Sequence, residues 1–187
     1  MSKVAVFVSD IHLGSNDLLN DFDSHGEFEE FLNGKIAREF PDDELDLVLL
    51  GDVFDLWQAV PANELPKRRG SKVDWDLNAI QLELEIDREK ARLQEIVQRN
   101  SDFFESLAKF LGGGQQRKVF FIPGNHDHSL VADEVRRELR DILAGFGIDQ
   151  EQFNVEQPYY ESIPLQVYAE HGSQFDGDNR YDEFTSF

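Results

Sequence analysis

The chain has 187 residues, 40% of them hydrophobic, enough to build one domain with a proper core. Thirty-eight acidic residues against 18 basic ones give a net charge of −20, a field that repels polyanions and disfavours nucleic acid as a partner, and the absence of cysteine excludes disulfides, thiolate nucleophiles and cysteine-held zinc. Asp, Glu, His and Asn are left as possible metal ligands; no apolar run approaches the roughly 20 residues of a membrane span, and Met1-Ser2-Lys3 runs into a strand without a cleavage site, so the expectation is a soluble, cytoplasmic protein.

The first predicted element is a buried strand, Val4 to Val8, ending in Ser9-Asp10-Ile11-His12. An extended backbone there would aim Asp10 and His12 the same way, which suits two ligands of one ion. Phe28, Phe31, Leu32, Ile36 and Phe40 recur at helical spacing, and Pro41 ends that helix. A second strand, Leu45 to Leu50, ends in Gly51-Asp52-Val53-Phe54-Asp55, where the glycine lets the backbone turn sharply at the sheet edge.

Residues 58–72 form a loop insertion or cap with two prolines and the basic run Lys67-Arg68-Arg69, flanked by Trp57 and Trp75. There Arg68 or Arg69 could reach a phosphate in bidentate fashion, although a solvated basic loop has the same composition. One long helix is predicted over 76–111, stopped by Gly112-Gly113-Gly114. A third strand, Val119 to Ile122, ends in Pro123-Gly124-Asn125-His126-Asp127-His128, a run of metal-competent or proton-transferring groups. Val131, Val135, Leu139, Ile142 and Leu143 mark another helix, and Tyr159-Tyr160 with Leu165 to Tyr168 read as a strand pair. Strands alternating with helices predict an α/β sheet with its chemistry at the carboxyl ends of the strands.

Each motif alone is also what an ordinary polar turn looks like, but Asp-x-His, Gly-Asp-x-x-Asp and Gly-Asn-His-Asp occur in this order, each after an apolar strand. As a set, with His171 in Ala169-Glu170-His171-Gly172, they resemble the calcineurin-like metallophosphoesterases. The resemblance spans residues 4 to 172 and implies a layered α/β sandwich of two packed sheets flanked by helices. It implies that Asp10 and His12 hold one divalent ion, that Asn125 and His171 hold a second, and that Asp52 bridges them. His126 is then the group that contacts substrate oxygen or protonates the leaving group, Asp127 orients its ring, and Asp55 supports the ligands. Two cations about 3.5–4 Å apart sharing a carboxylate and a hydroxide suffice to hydrolyse a phosphomonoester or phosphodiester without a protein nucleophile. Mixed oxygen and nitrogen ligands favour Mn, with Fe or Zn next.

The family's Gly-His-x-His pair has no counterpart after His171, which implies that the single domain over 1–187 is C-terminally incomplete and lacks its last strands. Residues 172–180 resemble in outline the UDP-2,3-diacylglucosamine hydrolases, which have Asp where this chain has Ser173. A nuclease of the same superfamily and a metal-binding scaffold with impaired catalysis are the competing readings.

Overall fold

A computed structural model describes residues 2–15, 22–56, 77–114, 116–177 and 179, the side chains of 77–84 excepted. The insertion at 58–72, with Arg68 and Arg69, lies outside the described residues.

The three apolar runs form strands β1 (Lys3–Val8), β2 (Glu44–Leu50) and β3 (Arg117–Ile122), joined by β4 (Phe153–Asn154) in one parallel sheet of order β1-β2-β3-β4. β2 is central and nearly continuous in apolar residues, as a strand covered on both faces must be. Leu45, Leu47 and Leu49 pack into the main core with Phe103, Phe104, Leu107, Leu139 and Leu143 from the helices. On the other face Val48 packs with Ile122 and Tyr160. Tyr160 belongs to a second, antiparallel sheet of β5 (Tyr160–Ser162) and β6 (Val167–Ala169), where the sequence predicts a strand pair. A parallel sheet, an antiparallel sheet and flanking helices give the layered α/β architecture that the family resemblance implies.

The first helical segment is α1 (His25–Glu29), which widens into a π-helix over Glu30–Ile36 and closes as α2 (Ala37–Glu39) before Pro41. The single helix predicted over 76–111 is in fact two, α3 (Leu77–Arg99) and α4 (Ser101–Gly112). The break is at Asn100, whose φ of −107° and ψ of 35° leave the helical region. Its buried side chain donates to the Ile96 carbonyl at 2.8 Å and to the Gly14 carbonyl at 3.0 Å. Asparagine competes with the helix backbone in this way, and here the competition ties the break to the loop that follows β1. The change of direction lets α4 bury Phe103, Phe104, Leu107 and Phe110. Helix α5 (Asp133–Gly145) follows β3 after a 3-10 turn at His128–Val131. Among the described residues, no helix is long and apolar enough to cross a membrane.

Candidate metal centre

Parallel pairing of Val8 with Leu49 and of Leu50 with Ile122 brings the loops after β1, β2 and β3 out side by side at one sheet edge. The first two loops are zipped together beyond the strands. Asp10 N–H donates to the Gly51 carbonyl at 3.2 Å, His12 N–H to Asp52 at 2.9 Å, Leu13 N–H to Val53 at 2.9 Å, and Asp55 N–H returns to Leu13 at 3.0 Å. This pairing is held with Asp10, His12 and Asp52 at φ of 55°, 53° and 51°, and Gly51 at 81°. Left-handed backbone costs a non-glycine residue about 1–3 kcal/mol and collects at sites where it aims side chains for a purpose. Asp10 and His12 are thus not on the extended backbone expected of them. The left-handed turns send them to two different groups of side chains.

One group is Asp10, Asp52 and His171; the other is His12, Asp55 and His126, with the candidate ligand atoms of each group within 4.8 Å of one another. Asp52 joins the groups. Its Oδ1 accepts the His126 backbone N–H at 2.9 Å, while its Oδ2 lies 3.5 Å from His171 Nε2 and 3.9 Å from His12 Nε2. The His12 and His126 rings meet edge to face, with centroids 4.7 Å apart. Asn125 sits on the same β3 loop, half-buried between Gly124 and His126. His128, the last polar residue of the run, is buried at the start of the 3-10 turn and belongs to neither group.

Asp127 is placed differently from the expectation that it orients His126. It is fully buried, and both its oxygens take backbone amides: Oδ2 from Val53 at 2.8 Å and Phe54 at 3.2 Å, Oδ1 from Gly124 at 2.6 Å. It therefore staples the β2 loop to the β3 loop. Burial pushes its carboxyl up to about 6, with Asp52's charge adding to the rise and the backbone amides opposing it. The partner of the His126 ring is Asp55, 0% exposed, whose Oδ1 lies 3.0 Å from Nδ1. A carboxylate only accepts, so Nδ1 carries the proton and Nε2 is the nitrogen available for transfer. The sequence reading grants Asp55 a supporting role but not this contact. Its spacing, three residues after Asp52 in a turn, is the signal that could have pointed to it.

Two glycines are required by close approach. A Cβ at Gly51 would overlap the His171 ring, and a Cβ at Gly124 would overlap the Asp52 carboxylate and lie 2.6 Å from its backbone nitrogen. Gly124→Ala is therefore expected to push the two loops apart, costing about 1–3 kcal/mol of stability and most of the metal affinity. Calorimetric titration with Mn²⁺ beside a thermal melt checks this, and a variant that binds and melts like the parent contradicts it.

The donor set fits divalent cations. Three carboxylates and three imidazoles converge here, and among the described residues no lysine or arginine pairs with Asp10, Asp52 or Asp55. Asp55 Oδ2 is buried without a hydrogen-bond partner. Buried carboxylates need a compensating charge, and mixed oxygen and nitrogen donors suit Mn, Fe or Zn.

The family model for calcineurin-like phosphoesterases matches residues 4–186. No curated protein and no solved structure matches the chain.

Proposed function

Because the chain belongs to the calcineurin-like phosphoesterases, a family of metal-dependent hydrolases, we propose that it hydrolyses a phosphomonoester or phosphodiester at a pair of divalent ions sharing Asp52. The observation that carries this is the position of Asp52 Oδ2 between the Nε2 atoms of His171 and His12, at 3.5 and 3.9 Å. Asp10 and His171 would hold one ion and His12 the other, and the family resemblance adds Asn125, on the β3 loop, to the ion at His171. Mn is the ion the donor set favours, ahead of Fe and Zn. When bound, such a pair supplies positive charge for the phosphate oxygens and makes water a nucleophile near neutral pH.

The chain's own groups do the rest. Asp55 holds the His126 ring through Nδ1, so Nε2 can take a proton from water and, as imidazolium, give it to the ester oxygen that departs as the phosphorus–oxygen bond breaks. Asp127 and the paired backbones of the first two loops keep the donors at fixed separation, which is the form catalytic positioning takes in a small site. Arg68 and Arg69, if the insertion folds toward this edge, would add bidentate contacts to phosphate. The His126–Asp55 pair suits an oriented proton donor, and because a carboxylate orients a metal-ligating histidine in the same way, it is turnover that separates this reading from a scaffold role.

Hydrolysis of paired aryl phosphate mono- and diesters, with Mn²⁺ and with chelator, tests the reading. Turnover that needs the metal is expected, and the preferred ester separates a monoesterase from a diesterase or nuclease. Metal-independent turnover, or none with either ester at saturating Mn²⁺, would overturn it.

A further inference from the structure

The face of the parallel sheet opposite the helices carries a polar group that the site chemistry does not use. Asp46 is 1% exposed, and its Oδ2 accepts the Tyr160 hydroxyl at 2.6 Å and the Lys3 ammonium at 2.9 Å. Lys3 also pairs with Glu44 at 2.6 Å. Tyr160, equally buried, has its ring edge to face with Phe7 and Phe120 at 5.6 and 5.0 Å. Burial, reinforced by the Asp46 carboxylate, pushes the hydroxyl up to about 12, so it stays a donor.

Such a group is a costly way to hold two sheets together, because Asp46 Oδ1 is buried with no partner and an apolar contact would serve stability as well or better. What it gives that an apolar contact does not is one defined position. The β5–β6 ribbon has three residue pairs, among them Tyr160 with Ala169, and a two-stranded ribbon of that size does not hold itself in place. Ala169 stands two residues before His171. Asp46 and Gly51 lie on and just beyond the same strand, β2, and it is against Gly51 that the His171 ring packs. The open end of the ribbon is thus referenced to β2 at two points, by the Tyr160 hydroxyl on Asp46 and by the His171 ring against Gly51.

We infer that Tyr160, Asp46 and Lys3 form a latch that positions His171, setting the depth of the β5–β6 ribbon on β2 so that Nε2 meets the shared Asp52 carboxylate. This rests on the proposed role of His171 as a ligand. Tyr160 is a positioning residue here, acting on the metal through the ribbon.

The test is histidine side-chain NMR of the full chain, whose five histidines are assigned from His→Gln variants, during titration with Zn²⁺. In Tyr160→Phe, which keeps the ring and loses the hydroxyl, the Zn²⁺ concentration that half-shifts the His171 signal is expected to rise about 10–100-fold, the usual effect of removing a group that orients a ligand. The His12 signal should shift as in the parent. Leu143→Ala, a core change on the helical side of the sheet, controls for lost stability and should leave both transitions together. Unchanged His171 titration in Tyr160→Phe, or equal displacement of His171 and His12, would overturn the latch. If neither signal responds to Zn²⁺ in the parent, the metal reading falls first and the latch with it.

Discussion

Replacing His126 by alanine is expected to lower kcat by about 10²–10⁴-fold, the ordinary size of a general-acid contribution, while metal affinity changes little. The reason lies in how the ring is held. Nδ1 is engaged by the buried Asp55 carboxylate at 3.0 Å, which fixes the tautomer and leaves Nε2 for the leaving group. His126 shares its immediate group with His12, so the competing possibility is that it is a ligand. Steady-state kinetics beside Mn²⁺ titration separates the two. Loss of one ion in His126→Ala would make His126 a ligand and remove the proton donor from the mechanism.

The largest effect on stability is expected from Asp127→Ala. Three backbone N–H groups, those of Val53, Phe54 and Gly124, lose their acceptor together in a fully buried position. Unpaired buried donors cost about 1–3 kcal/mol each, and a combined loss of about 3–5 kcal/mol in a chain of this size lowers Tm by roughly 6–20 °C. Asp127→Asn should recover only part, because both carboxylate oxygens face N–H donors and the new amide must turn its NH₂ toward one of them. A thermal melt of the metal-free proteins checks both variants. A shift of under about 2 °C for Asp127→Ala, less than the smallest cost of a single unpaired donor, would mean that the loops do not depend on this staple.

Much of this site is legible in the sequence because strand, turn and polar residue follow one another within a few positions. Apolar runs too short for helices end in Asp10-x-His12, Gly51-Asp52 and Asn125-His126, and parallel pairing then gathers those ends at one edge by topology alone. His171 is findable by the same logic, as a histidine directly after a short strand. The division of labour among the carboxylates is not legible. Asp55 and Asp127 are both short acidic side chains in turns, and which of them faces the His126 ring depends on left-handed turns at Asp10, His12 and Asp52 that alternation of side chains along a strand does not predict. The helix break at Asn100 escapes notice because helical periodicity continues on both sides of it. The signal is one asparagine whose partner, Gly14, is 86 residues away. β4 has two residues and no periodicity to detect.

The central proposal, that one carboxylate serves two ions, turns on Asp52. Equilibrium dialysis against Mn²⁺ with elemental analysis of the parent and of Asp52→Asn, which keeps the shape and removes the charge, tests it most directly. Two ions per chain in the parent and no tightly held pair in the variant, with turnover lost alongside, is the predicted result. Two ions retained at near-parent affinity in Asp52→Asn, with turnover intact, would contradict it.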